Sequence, residues 1–158
     1  MSTGASWLAD EAATEALGAA IALRLARGTV VHLRGALGAG KTTLTRGLLR
    51  ALGHVGPVKS PTYTLVESYD LATLRLHHFD LYRLRDASEL EDIGVRDYLD
   101  GEAVLLIEWP ERGADRTPVA DLLVELRVEA SGRRARCSAS STRGAAIVAG
   151  LAATPTSA

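Results

Sequence analysis

Apolar residues recur along the chain at two spacings, and these divide it into helices and strands. Leu17, Ile21 and Leu25 lie i, i+4, i+8 and predict the buried stripe of a helix from Asp10 to Arg27. Asp10 suits its N-cap, Glu11 its first turn and Gly28 its end. Val30-Val31-His32-Leu33 predicts a strand, and Leu44, Leu48, Leu49 and Leu52 mark one face of a second helix that Gly53 closes. Tyr63 to Tyr69 and Leu74 to Phe79 read as two strands broken at Asp70-Leu71-Ala72, an expected antiparallel hairpin. Asp86 to Ile93 predicts a short helix with an acidic opening, ended by Gly94. The apolar run Ala103 to Ile107 is expected as a fully buried strand. Leu122 to Val128 alternates, Arg134 to Ser140 does so more weakly, and together they predict a second hairpin around Ser131-Gly132. Thr142 to Ala153 reads as an Ala-rich helix. Residues 1–9 are expected as a flexible lead-in, 10–153 as one domain and 154–158 as a disordered tail.

Composition narrows the class. With 158 residues, 47% apolar and 23% charged, the chain suits one globular domain with a real core. A net charge of −1 gives no global pull toward nucleic acid or anionic membrane. The single Cys137 excludes an internal disulfide framework and a Cys-rich zinc site, as expected of a reducing, cytoplasmic setting. No uncharged stretch of membrane-spanning length occurs, no basic segment precedes an apolar core at the N-terminus, and no internal repeat is evident.

Between the first strand and the second helix stands Gly35-Ala36-Leu37-Gly38-Ala39-Gly40-Lys41-Thr42, which reads G-x-x-x-x-G-K-T, the phosphate-binding loop of P-loop NTPases. Phosphate oxygens need converging donors, and glycines at 35, 38 and 40 let backbone N–H groups curl inward. Lys41 supplies a point charge for the β/γ-phosphates, the Thr42 hydroxyl faces Mg2+, and the helix starting near Gly40 aims its positive end at the same phosphates. The chain has 18 Lys and Arg together, of which only Lys41 and Lys59 are Lys, so lysine at this position marks a requirement for a compact charge.

Such a loop works with further acids. Glu108, directly after Val104-Leu105-Leu106-Ile107, has the strand-then-acid pattern that holds Mg2+; Asp80, after Leu76-His77-His78-Phe79, suits Mg2+ or the attacking water, or else a capped turn with an Asp80–Arg83 pair. His77 and His78 are adjacent on a strand, face opposite ways and cannot easily share a metal. Trp109 stacks on a base, serves a partner, or packs at an edge. Lys59, Ser60, Thr62 and Tyr63, stiffened by Pro61, form either a γ-phosphate-sensing switch loop or a structural one. Arg83 is a weaker candidate for an internal arginine finger.

Taken in order, Gly38 to Gly47, Val58-Lys59-Ser60-Pro61-Thr62-Tyr63-Thr64-Leu65-Val66-Glu67, His78-Phe79-Asp80-Leu81-Tyr82-Arg83-Leu84, Glu89-Leu90 through Gly94 with Asp97-Tyr98, and Leu106-Ile107-Glu108-Trp109-Pro110-Glu111 resemble the TsaE (YjeE) family, the ATPase of bacterial tRNA threonylcarbamoyladenosine biosynthesis. The resemblance covers roughly residues 10–140. It implies an α/β, P-loop NTPase-type three-layer sandwich with a mixed central sheet including antiparallel hairpins. It also implies an ATPase that is weak alone, uses Mg2+ and ATP, and acts on a complex of TsaB and TsaD, meeting tRNA only through that complex. A monomer is expected when the chain is alone. Carried across, Lys41, Asp80 and Glu108 are the expected catalytic residues, and Thr42 and Glu108 the expected Mg2+ residues. Gly35, Gly38, Ala39, Gly40, Lys41, Thr42, Thr43, Trp109 and Arg134 are the expected nucleotide contacts, with Arg133 an alternative to Arg134. Lys59 falls at the family's basic position before Ser-Pro-Thr. The family commonly carries an acid where this chain has Ala36, which puts rate or coupling in question more than binding. Two other functions compete: a nucleotide-gated binding module with negligible turnover, and a small-molecule P-loop kinase, although no Arg-dense lid is evident.

Overall fold

The computed structural model describes residues 3–152. Among these, seven strands form one open sheet: β1 (Thr3–Leu8), β2 (Val30–Arg34), β3 (Val66–Asp70), β4 (Arg75–Asp80), β5 (Val104–Glu108), β6 (Leu122–Glu129) and β7 (Gly132–Ala139). Their spatial order is β1-β7-β6-β2-β5-β4-β3. The central four, β6-β2-β5-β4, run parallel, whereas β3 pairs antiparallel with β4, and β7 pairs antiparallel with both β6 and β1. The expected mixed sheet with two hairpins is therefore present.

Helices α1 (Glu11–Ala22), α2 (Lys41–Ala51) and α5 (Thr142–Ala152) cover one face; the short α3 (Glu89–Asp92) and α4 (Val95–Tyr98) cover part of the other. β5 divides the two cores by simple alternation. Val104 and Leu106 join Leu33, Leu44, Leu48 and Val124 beneath α1 and α2, while Leu105 and Ile107 join Phe79, Leu81 and Leu90 on the opposite side. All five of its residues are buried, as its unbroken apolar run predicts.

α1 and α2 cross almost backbone to backbone. A methyl group at Gly18 would lie 2.1 Å from the Leu44 carbonyl oxygen, and one at Gly47 would lie 2.1 Å from that of Glu15. Glycine at both positions is what the crossing demands. Glu15 adds ion pairs to Arg46 at 3.3 Å and Arg50 at 3.7 Å over the same contact.

Several boundaries differ from the sequence expectation, each for a visible reason. Residues 3–8, expected as a flexible lead-in, form β1: Thr3 to Leu8 pair with Ser138 to Arg133, and Leu8 enters the core. The helix capped by Asp10, whose Oδ1 accepts from Ala13 N at 2.8 Å, stops at Ala22 rather than Arg27. There Arg24 N and Leu25 N turn to the tighter i−3 carbonyls of Ile21 and Ala22. β3 begins at Val66, not Tyr63, because Leu65 N bonds Pro61 O in a turn with Leu65 at φ 67°. The acidic helix ends before Gly94 as expected but begins at Glu89 rather than Asp86, and a further short helix, α4, follows Gly94. The expectations for residue 153 and for the tail at 154–158 lie outside the described residues. No described helix is long and apolar enough to cross a membrane.

Candidate functional site

Parallel strands place their C-terminal ends along one edge of the sheet, where side chains from several strands can meet a loop. Here β2 runs into the glycine-rich loop 35–40 and α2, while β4 and β5 end side by side, with Asp80 opposite Glu108. Gly40 at φ 110° turns the chain into α2. These elements enclose a cleft of about 290 Å3. Its lining brings together Gly38, Gly40, Lys41, Thr42 and Thr43 with Ser60, Thr62, Asp80, Glu108 and Trp109. Gly35 and Ala39 frame the loop from behind: Gly35 offers its carbonyl to Lys41, and Ala39 is buried.

Lys41 is folded back onto its own loop. Its ammonium donates to the carbonyls of Gly35 and, at 3.1 Å, Ala36, and lies 4.8 Å from the Trp109 ring. Burial holds it below the ordinary lysine range, against the opposing pull of the Glu108 and Asp80 carboxylates.

Asp80 is buried and fully engaged. Ser60 Oγ donates to its Oδ2 at 2.8 Å, Thr62 Oγ1 to the same oxygen at 3.0 Å, and Tyr82 N to Oδ1 at 3.0 Å. The backbone bond from Tyr82 is the anticipated turn. The anticipated Asp80–Arg83 pair is not made: Arg83 instead lies 4.4 Å over the Tyr63 ring and donates to its hydroxyl at 3.2 Å. Tyr63, 83% exposed, stands on the outside of the loop, and Lys59 is exposed beyond the cleft lining.

Glu108 is equally buried, with Oε2 held by His78 Nε2 at 2.8 Å. His77 faces the other way, its Nδ1 2.7 Å from Ser68 Oγ and its ring edge-on to Tyr98, so the two histidines do not converge. Trp109 adopts a left-handed backbone at φ 54° that swings its ring to the rim, 5.1 Å from the Tyr82 ring.

The hairpin residue at the cleft is Arg133 rather than Arg134. Arg133 Nη2 donates to Gly38 O at 3.4 Å, its Nε is buried without a partner, and a methyl on Gly40 would come within 2.9 Å of that nitrogen. Arg134 points to the opposite face, paired with Glu129 at 3.2 Å and lying 5.7 Å over Trp7. Alternation carried the information: Ala135, Cys137 and Ala139 form the buried set of β7, which puts Arg133 on the helix-covered face and Arg134 on the other. Glu11, Leu37 and Tyr82 also line the cleft, although their sequence context gave them only local roles.

Chemically, the cleft offers the Arg133 guanidinium and a buried ammonium for an anion, together with two carboxylates and a hydroxyl suited to a hard cation. Among the described residues no three His, Cys, Asp or Glu side chains are arranged to hold a metal unaided. Thr42 and Glu108 fit Mg2+, which binds through one or two protein oxygens plus those of a phosphate ligand.

Comparison with known proteins places the chain in a family. The family model of the threonylcarbamoyl adenosine biosynthesis protein TsaE matches residues 8–136. The tRNA threonylcarbamoyladenosine biosynthesis protein TsaE of Haemophilus influenzae is 55% identical over 104 residues, 66% of this chain and 66% of that protein. Its counterpart from Treponema pallidum is 41% identical over 117 residues, covering 74% of this chain and 86% of the other. The crystal structure of Bacillus subtilis YdiB superposes with a TM-score of 0.82 at 26% identity, covering 96% of this chain and 95% of that one. By sequence and by fold, the chain belongs to the TsaE family of threonylcarbamoyl adenosine biosynthesis proteins.

Proposed function

We propose that the chain is a Mg2+-dependent ATPase of the tRNA threonylcarbamoyladenosine modification machinery, acting on a TsaB–TsaD complex rather than transferring the group itself. The observation that carries this reading is the convergence of Lys41, Thr42, Asp80 and Glu108, from three separate segments, on one cleft at the end of the parallel strands. Lys41 exchanges its two loop carbonyls for phosphate oxygens, and the loop and helix amides complete the cradle. Thr42 and Glu108 hold Mg2+, which when bound neutralises charge developing on the phosphates. Asp80 orients the attacking water or supports the metal, and its bonds to Ser60 and Thr62 couple the 59–64 loop to the cleft. Trp109 and Arg133, both lining the cleft, flank the rest of the nucleotide. The outward Tyr63 and Arg83 pair then carries the state of the cleft to a partner surface.

The test is steady-state ATP hydrolysis with Mg2+, with and without a TsaB–TsaD complex, alongside Glu108→Ala. Partner stimulation that vanishes in the variant supports the coupled ATPase. Ala36 favours a second reading, a nucleotide-gated module, because the loop lacks an acid at that position. Nucleotide-dependent association without stimulated turnover would select it.

A further inference from the structure

Two carboxylates at the tips of β4 and β5 present four oxygens, and the protein occupies three of them. Asp80 Oδ2 accepts from Ser60 and Thr62, Asp80 Oδ1 from Tyr82 N, and Glu108 Oε2 pairs with His78 Nε2. Among the described residues, Glu108 Oε1 alone of the four has no donor. We infer that His78 is a positioning residue that fixes Glu108 so that Oε1 is the oxygen offered to the cleft.

The register makes this contact possible. His78 pairs with Leu106 and Asp80 with Glu108, so His78 lies two residues behind the strand tips on the same face as both acids, and Glu108 reaches back to it diagonally. Both side chains are almost wholly buried, His78 at 0% and Glu108 at 2% exposure. The other ring nitrogen, Nδ1, is buried with no partner among the described residues. A proton there would be a buried donor without an acceptor, which costs more than an idle lone pair. The proton therefore sits on Nε2 and is donated to Oε2. An apolar residue at 78 would leave that oxygen unpaired in the interior and free the carboxylate to rotate. The histidine thus places a polar ring at a fully buried position of β4 for the sake of its neighbour's orientation.

The consequence for Mg2+ rests on the ATPase reading; the hydrogen bond itself does not. The full-length chain is compared with His78→Leu, His78→Gln and Glu108→Ala, with thermal unfolding to establish that each is folded. In the absence of nucleotide, imidazole 15N spectra should give His78 as the Nε2–H tautomer, with a signal that moves in Glu108→Ala. A different tautomer, or a signal indifferent to Glu108, overturns the inference and leaves the ATPase reading intact. Calorimetric titration with a non-hydrolysable ATP analogue, with and without Mg2+, supplies the second measurement. His78→Leu should bind the Mg2+-free analogue as the parent does but lose about 10–100-fold of the Mg2+-dependent tightening. His78→Gln, whose amide can donate to Oε2, should keep most of it. Full Mg2+ response in His78→Leu, or equal loss in both variants in proportion to lost stability, overturns the inference. No Mg2+-dependent binding by the parent chain overturns the ATPase reading, and the spectra still decide the bond.

Discussion

Asp80 fastens the 59–64 loop to the strand tips through two hydroxyls, and a hydrogen bond to a charged acceptor contributes about 1.5–3 kcal/mol. Asp80→Ala should release that loop while leaving the cores folded. Tryptic cleavage after the exposed Lys59 should then accelerate by roughly tenfold or more, one such bond's worth of opening energy; a rate equal to the parent's would mean that other contacts hold the loop. At the hairpin, the proposed ATPase reading predicts that Arg133→Ala weakens ATP binding by about tenfold, typical of losing one charge-assisted contact, whereas Arg134→Ala leaves it unchanged. A calorimetric comparison of the two decides it. This pair also marks the limit of what the sequence disclosed. The placement of Lys41 and Thr42 at the cleft was legible from a strand–loop–helix spelling, and that of Asp80 and Glu108 from an acid directly after a strand. The choice between adjacent arginines depended on hairpin register, which the weak alternation of Arg134 to Ser140 hid until Ala135 and Cys137 were seen to be buried.

Among the elements, the crossing of α1 and α2 is the least forgiving. Ala favours a helix over Gly by about 1 kcal/mol, yet at Gly18 or Gly47 the added methyl would sit 2.1 Å from a backbone oxygen of the other helix. Gly18→Ala and Gly47→Ala should therefore each destabilise the protein by about 2–3 kcal/mol net, measured by urea unfolding; an unchanged midpoint would show that the helices can slide apart. Elements with a strong period were legible in advance: α2 from its leucine stripe, β5 from its unbroken apolar run. β1 was not, because Thr-Gly-Ala-Ser-Trp-Leu has no apolar alternation, contributes only Leu8 to the core, and owes its conformation to the free edge of β7. α1 looked longer because Leu25 still packs on the core after the helix has ended.

Across the whole molecule, two imidazoles withdrawn from solvent, His77 buried and His32 partly so, tie stability to pH. Burial holds His32 and His77 below the ordinary value of 6.5, and the charges of Arg34 and Arg75 respectively add to the effect. Since the folded chain resists protons that the unfolded chain accepts, their cost is absent above that value and grows as pH falls through it toward the lowered folded values. The thermal midpoint should thus decline on acidification from about pH 7.5. The double variant His32→Gln, His77→Gln should decline less, and a parallel slope would assign the acid sensitivity elsewhere. Cys137, its thiol pushed up to about 11 by burial, faces the core where β7 pairs with Gly4 of β1. Deleting residues 3–8 should expose it to thiol reagents at least tenfold faster, by about 1.4 kcal/mol or more of lost protection, and unchanged labelling would mean that β7 stays covered without its edge partner. The strand order has a further meaning in time. β2, which carries the glycine-rich loop, has β5 and β6 as its neighbours, and Val30 N bonds Asp121 Oδ2 across 91 residues of chain. At ribosomal rates of about 5–20 residues per second, that interval lasts roughly 5–20 s. For those seconds the glycine-rich loop has been synthesised but lacks its flanking strands, so the cleft cannot assemble until the chain beyond Asp121 has emerged.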